Sequence, residues 1–320
     1  MTMTPAAPSD ELTHLLDTAR GWLAGGSRVA LATVIETWGS APRRRGAHAL
    51  IRDDGLFEGS VSGGCVEGDV LLTAQELFAD PAGGSRRLDY GVADDRAWEV
   101  GLACGGRISV LLQTIDADHF PPALLDRIAV ARGEGRPVRV ATTLATGRSR
   151  EAASPEAGED FLATYAPALR MLIVGAVHVA QALAPLARMM GYHPLVVDPR
   201  QSFAAAARFP ELDVDMRWPD EAFAEWRPDA ATAVVTLTHD PKIDDPALEA
   251  ALASPAFYIA ALGSRRTQAM RLERLAARGF DAGALARING PAGLPIGAAS
   301  PAEIALSIMA QAVEAHRRAS

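Results

Sequence analysis

Two thiols set beside glycine pairs are the residues of this chain best equipped for chemistry. They stand in Ser62-Gly63-Gly64-Cys65 and Ala103-Cys104-Gly105-Gly106, near mirror images of one another. Glycine pairs let bare backbone N–H groups converge on a ligand. Cys65 is expected at or near a helix N-terminus, where the thiolate is favoured and the thiol pKa falls. A soft thiolate beside an anion-binding backbone suits a soft metal or a transferable sulfur. A free cysteine is also commonly a small buried hydrophobe; the pairing of two such turns favours chemistry over packing. Arg43, Arg44 and Arg45 share a Gly/Pro loop of an otherwise acidic chain, which points to an anionic partner or to a solvated loop.

The second half carries a nucleotide-type turn. Gly175-Ala176-Val177-His178-Val179-Ala180 follows an apolar strand and opens a helix, the place of a dinucleotide fingerprint. Asp198 ends the next strand, where an acid meets a ribose hydroxyl. Val177 replaces the glycine that lets a backbone approach a pyrophosphate. The turn therefore reads equally as a phosphate site and as a tight bend that Gly175 alone serves. His178 falls in the first helical turn, where the dipole keeps it neutral, either as a ligand contact or as a surface or capping residue. Thr238-His239-Asp240 and Gly263-Ser264-Arg265-Arg266-Thr267 end two further strands at the same crevice. The latter suits an anion, or is a capped helix with solvated arginines.

The elements that position these residues follow from periodicity. Leu12, Leu15, Leu16, Ala19, Trp22 and Leu23 predict a helix over 9–26, and β-rich runs predict strands over 28–37 and 47–52. Val66, Val70, Leu71, Ala74, Leu77 and Phe78 make one helical stripe after the Cys65 turn. A strand over 107–114, a helix over 119–135 and a strand over 136–146 follow, and 147–160 reads as a linker. From Leu169 the chain alternates strand and helix, the pattern of a parallel sheet covered on both faces. Strands are expected over 171–174, 194–197, 230–237 and 257–262, with helices over 179–190, 246–253 and 265–278. Ser300-Pro301-Ala302-Glu303 is a capping box that launches the last helix. The fold class is α/β, with an N-terminal mixed α/β (α+β) domain over 1–166 and a C-terminal Rossmann-like doubly wound domain over 167–320.

Composition narrows the function. The chain has 31 Lys and Arg against 39 Asp and Glu, a net charge of −8. That balance argues against nucleic acid and against an anionic membrane surface as partners. No apolar run reaches the roughly 18 residues of a membrane span. The first ten residues lack the order of a signal peptide, and a cytoplasmic location is expected. Two cysteines exclude a disulfide framework and cannot by themselves close a four-ligand zinc site. No G-x-S-x-G elbow and no phosphate-binding G-x-x-x-x-G-K-[ST] loop is present, so hydrolase and ATPase readings lack support.

Taken together, these segments resemble the XdhC/CoxI family, accessory factors of bacterial molybdenum hydroxylases such as xanthine, aldehyde and carbon monoxide dehydrogenases. The matching stretches include Gly39-Ser40-Ala41-Pro42-Arg43, Gly59-Ser60-Val61-Ser62-Gly63-Gly64-Cys65-Val66-Glu67 and Cys104-Gly105-Gly106 in the first half. In the second half they include the Gly175 turn, Val197-Asp198-Pro199-Arg200, Thr238-His239-Asp240-Pro241-Lys242, Leu262-Gly263-Ser264-Arg265-Arg266-Thr267 and the Ser300 capping box. The resemblance implies a maturation chaperone rather than a turnover enzyme. Its cargo would be the molybdenum cofactor, as molybdopterin or its cytosine dinucleotide. Its partners would be a cysteine desulfurase as sulfur donor and an apo-molybdenum hydroxylase as recipient.

Carried over by motif, Gly63, Gly64, Cys65, Glu67, Cys104 and Gly105 would lie near the metal end, with Cys65 and Cys104 as the molybdenum-proximal thiols. Arg43 to Arg45, the Gly175 turn or the Gly263–Arg266 turn would hold phosphates. His178, Asp198, His239, Ser264 and Arg265 would line the second crevice. The chain departs from the family pattern at Val177, Pro295 and Gln311, all in the second half. Two other readings stand beside this one. One is an NAD(P)-dependent oxidoreductase, against which Val177 speaks. The other is a sulfurtransferase with a persulfide on Cys65 or Cys104. The apolar last helix also offers a face for a homodimer.

Overall fold

The computed structural model describes residues 10–319 except 40–42, 82, 92–105, 155, 157–159, 211 and 213. The chain divides into two compact units, one of Glu11–Pro167 and one built on Ala168–Ser320.

The first unit is organised around a five-stranded antiparallel sheet. Its strand order is β3 (Phe57–Gly59), β2 (His48–Arg52), β1 (Val29–Trp38), β5 (Arg107–Thr114) and β4 (Ser85–Tyr90). Strand side chains alternate between faces, so β1 serves two cores. Val29 and Leu31 pack with Leu50 against Leu15, Leu16 and Ala19 of α1 (Glu11–Ala24) and Leu124, Leu125 and Ile128 of α3 (Pro122–Gly133). Ala30, Ala32 and Val34 pack with Ile51, Val110 and Leu112 under Val66 and under Val70, Ala74 and Leu77 of α2 (Glu67–Ala79). A second antiparallel sheet, ordered β7 (Arg148–Glu151), β6 (Val138–Thr143) and β8 (Phe161–Tyr165), joins the first through Phe161 against Ile35 and Leu111.

Part of the expected linker is therefore sheet. Arg148–Glu151 pairs with β6 although its residues are mostly polar, because it is an edge strand with little apolar surface to bury. β4, with the sequence Ser-Arg-Arg-Leu-Asp-Tyr, escapes periodicity for the same reason.

The second unit is a six-stranded parallel sheet. Its order is β11 (Val214–Asp215), β10 (Tyr192–Val197), β9 (Leu169–Val174), β12 (Thr232–Thr236), β13 (Tyr258–Ala261) and β14 (Ile288–Asn289). In chain sequence this is 3-2-1-4-5-6, the Rossmann order, which reverses direction between β9 and β12. Met171 and Ile173 face α4 (His178–Met189) and α9 (Pro301–Ala319). Leu172 and Val174 face Phe223 of α5 (Pro219–Trp226), Leu248 of α6 (Pro241–Leu252) and Leu275 of α7 (Arg265–Ala277). A short helix, α8 (Ala282–Leu285), precedes β14. α6 begins five residues before the expected start. Asp240 caps it by accepting from the Lys242 N–H at 2.9 Å, Pro241 opens the helix, and Pro246 lies inside it.

Gly175 is required at the reversal point. It has φ +109°, and a Cβ there would stand 2.6 Å from Thr238 Cγ2 and 3.2 Å from the Thr238 N. Gly175→Ala should lower the thermal midpoint by roughly 5 °C or more through that clash and the left-handed backbone. An unchanged midpoint would show that the two strand ends do not approach this closely.

His48 is buried in the first unit, with Nδ1 3.0 Å from Thr33 Oγ1 and its ring stacked on Tyr165 at 5.4 Å between centroids. Burial, helped by the charge of Arg43, pushes its pKa down to about 4. The unfolded chain then binds a proton between the ordinary value of about 6.5 and pH 4 that the folded chain refuses. Stability should be fully present above about pH 6.5 and fall by a few kcal/mol as pH drops to 4. Urea titrations of wild type and His48→Phe across that window should differ in slope by about one proton; equal slopes would assign the acid sensitivity elsewhere.

Candidate functional site

The turn before α2 is built around a single carboxylate. Gly63 and Gly64 have φ +79° and +111°, a backbone open to glycine, and this curls successive N–H groups inward. They converge on Glu67. Its Oε1 accepts from Ser60 Oγ at 2.8 Å and from the N–H groups of Val61 at 3.2 Å, Ser62 at 2.9 Å and Gly63 at 3.1 Å. Its Oε2 accepts from the N–H groups of Gly64 at 2.9 Å and Val66 at 3.2 Å and from the Ser62 hydroxyl. The Ser62 hydroxyl also accepts from the Cys65 and Val66 N–H groups at 3.0 Å each. Burial alone would raise the Glu67 pKa, but the Ser62 and Ser60 hydrogen bonds outweigh it and hold the carboxyl at about 2.

These N–H groups therefore already have an anion, one that the chain supplies itself. Glu67 organises the loop, and the backbone cradle is not open space for a ligand. Cys65 sits two residues before α2, half-buried, and packs against the α2 core. Arg43 belongs to the same neighbourhood. Its Nε donates to the Ser60 carbonyl at 3.1 Å and its guanidinium pairs with Glu11. Arg45 donates to the Ile35 carbonyl at 3.0 Å and lies 4.8 Å over the Phe161 ring, while Arg44 is exposed. Arg43, Gly63, Gly64, Cys65 and Glu67 are thus brought together. Cys104 and Gly105 lie outside the described residues. Among the described residues, no group of three or more His, Cys, Asp or Glu side chains is placed to hold a metal ion.

In the second unit, Asp198, expected to meet a ribose hydroxyl, bonds groups of the chain itself. Its side chain is fully buried and saturated from within. Oδ2 accepts from the Ala176 N–H at 2.8 Å, and Arg200 binds both oxygens, Nε at 2.9 Å and Nη2 at 2.8 Å. Burial pushes the Asp198 pKa up, and the Arg200 and Ala176 hydrogen bonds bring it below the ordinary carboxylate value. Arg208 holds the carbonyl end of the same residue, donating to the Ala176 oxygen at 2.7 Å. Val177 is half-buried against the apolar layer under α4, and His178 is exposed at the first position of that helix.

A third carboxylate holds the neighbouring strand end. Asp244 accepts from Thr238 Oγ1 at 2.7 Å and from the His239 N–H at 3.1 Å, and it faces the buried Arg271 guanidinium at 3.9 Å. Burial raises the Asp244 pKa and lowers that of Arg271. His239 has φ +62°, a left-handed conformation uncommon outside glycine and stabilised here by that bond to its N–H. At the next strand end Ser264 is the α7 cap, accepting from the Thr267 N–H at 3.1 Å, the capped helix that stood beside its reading as an anion ligand. Arg265 is exposed in the first turn of that helix. Gly175, Thr238 and His239 meet at the sheet's reversal, and Arg271 links Asp244 to the Leu262 carbonyl at 2.9 Å beside Gly263. Sequence reasoning set Asp244 after the Thr238 strand end and Arg200 in the Asp198 motif without giving either a role, and it passed over Arg271. Asp-Pro-Arg at 198–200 was the available signal, because an arginine two residues after a buried acid can fold back onto it.

Comparison with known proteins follows this architecture. The description "XdhC and CoxI family" matches residues 22–91, and "XdhC Rossmann domain" matches residues 171–312. The chain is 30% identical over 298 residues to "Molybdenum cofactor insertion chaperone PaoD" of Escherichia coli, spanning 90% of this chain and 84% of that one. It is 26% identical to a probable xanthine dehydrogenase subunit of Bacillus subtilis, spanning 90% of this chain and 93% of that one. The crystal structure of a xanthine dehydrogenase from Bacillus halodurans superimposes with a TM-score of 0.79 at 26% identity over 97% of each chain. With both halves of the fold matched and a 30% identical relative covered along most of its length, the chain belongs to the XdhC and CoxI family.

Proposed function

We propose that this protein carries the molybdenum cofactor, as molybdopterin or its cytosine dinucleotide, protects it, supports its sulfuration and inserts it into an apo-molybdenum hydroxylase. A cysteine desulfurase is the proposed sulfur donor, and the proposed setting is the cytoplasm. Among the described residues no helix is long and apolar enough to cross a membrane. The observation that carries the proposal is the likeness to the insertion chaperone along nine-tenths of the chain, which includes the Glu67-ordered turn. That turn fixes the backbone around Cys65, so a soft thiol is held at one defined place, and Arg43 is tied to the same loop at Ser60. A nicotinamide role fits less well, because Asp198 spends its lone pairs on Ala176 and Arg200.

Purified from a cofactor-replete host, the protein should carry molybdenum by elemental analysis and pterin by fluorescence. Absence of both would overturn the proposal. Cys65→Ala should leave the thermal midpoint within about 2 °C of wild type while lowering activation of the client hydroxylase. Lost stability with normal activation would make the thiol a packing group.

Glu67→Gln tests the turn itself. It keeps the shape and removes the charge that the Val61, Ser62, Gly63, Gly64 and Val66 N–H groups address, so the thermal midpoint should fall by a few degrees at neutral pH. A carboxyl held near 2 when folded stabilises above its ordinary pKa of about 4.5, and that contribution fades as pH falls toward 2. The wild-type advantage should shrink over that window. A difference independent of pH would assign the loss to shape alone.

A further inference from the structure

The end of the five-stranded sheet carries a cleft of about 540 Å³ with no place in the mechanism above. Its volume falls within the range of small-ligand sites. Strand register decides what faces it. Glu36 pairs with Ser109, and Ser109 with Asp89, so these three polar residues form one row across β1, β5 and β4. Trp38 pairs with Arg107 in the next row on the same face.

The two rows have different chemistry. In the first, Arg87 donates to Asp89 Oδ1 at 2.9 Å and to Glu36 Oε2 at 3.2 Å, and the Ser109 hydroxyl donates to Asp89. These bonds hold both carboxylates in place and leave Glu36 Oε1 as an acceptor. In the second, Trp38 is 70% exposed. The Arg107 guanidinium lies 5.6 Å from its ring centroid. The Arg107 stem crosses Gly91, where a Cβ would stand 2.9 Å from Arg107 Cγ. Among the described residues the Arg107 guanidinium has no hydrogen bond and no ion pair. An exposed indole beside a guanidinium with no acid partner is well made for a flat, anionic ligand.

We infer that this cleft seats the pterin ring of the cofactor. The inference rests on the function proposed above and names the place. A pterin is planar and stacks on Trp38. Its adjacent ring N–H and exocyclic amine are paired donors, which a carboxylate such as Glu36 accepts together. Its anionic substituent meets Arg107. Arg45, Asp160 and Phe161 line a neighbouring recess of about 360 Å³ that shares Glu36 and Thr37 with the cleft.

The probes are pterin-6-carboxylate, followed by its own fluorescence, and cytidine 5′-monophosphate, followed by calorimetry. Wild type should bind the pterin. Trp38→Ala should weaken that binding by about tenfold, and Trp38→Phe should restore most of it. Arg107→Ala should weaken the carboxylated pterin more than the uncharged parent pterin. Trp38 is exposed, so these variants should keep the wild-type thermal midpoint. Cytidine monophosphate binding that is lost in Trp38→Ala, with no pterin binding, would overturn the assignment. So would a wild type that co-purifies with cofactor which Trp38→Ala and Arg107→Ala retain equally; in that case the carrier function stands and only the seat falls. A wild type that holds neither cofactor nor pterin would overturn both.

Discussion

A backbone N–H left out of helix and sheet needs an acceptor, and at three turns of this protein the acceptor is a carboxylate of the chain itself. Glu67 gathers the N–H groups of Val61, Ser62, Gly63, Gly64 and Val66. Asp198 takes that of Ala176, and Asp244 that of His239. Each turn has the outward form of an anion-binding loop, and each is already neutralised from within. An incoming phosphate at these places would have to displace a hydrogen-bonded carboxylate and then lie beside its negative charge. Charge-assisted bonds of this kind are about twice as strong as neutral ones, so the internal anions order the loops.

This constraint redistributes the chemistry. The glycine turn of the second unit becomes a braced corner, with Asp198 and Arg200 at the N–H of Ala176 and Arg208 at its carbonyl. The Rossmann strand order survives, while the acid that such folds offer to a ribose is committed to the protein. In the first unit the same logic leaves the Gly63–Gly64 backbone satisfied and fixes the backbone at Cys65. Groups with capacity to spare lie instead at the end of the sheet, where Arg107 keeps its positive charge and Trp38 its exposed face. A carrier benefits from that division. Rigid, self-satisfied turns keep the scaffold folded with or without cargo, and a shallow polar cleft can release what it holds.

The packing supports the division physically. β1 feeds two cores through alternate residues, so a displacement at Trp38 or Glu36 is resisted by Val34 on one side and Ile35 on the other. Arg45, stacked on Phe161, ties the loop after β1 to the second sheet of the same unit.

Much of the scaffold was legible in the residues. The apolar runs at Met171–Val174 and Ala233–Val235 alternate with helical stripes, and that rhythm alone specifies a parallel sheet covered on both faces. Ser264, Asp240 and the Ser300 capping box announce helix starts through short-range hydrogen bonds that need no distant partner. Edge strands such as Arg148–Glu151 and Ser85–Tyr90 were not legible, because a strand paired on one side need not carry an apolar pattern. The site divides in the same way. Spacing marked Cys65, Glu67, Asp198 and His239 as residues of interest, since turns and strand ends are local features. Whether a marked carboxylate faces a ligand or its own backbone depends on which N–H groups the fold delivers to it. Cross-strand register alone places Trp38 against Arg107 and Glu36 against Ser109. Those pairings join residues some seventy positions apart, and only the assembled sheet brings them together.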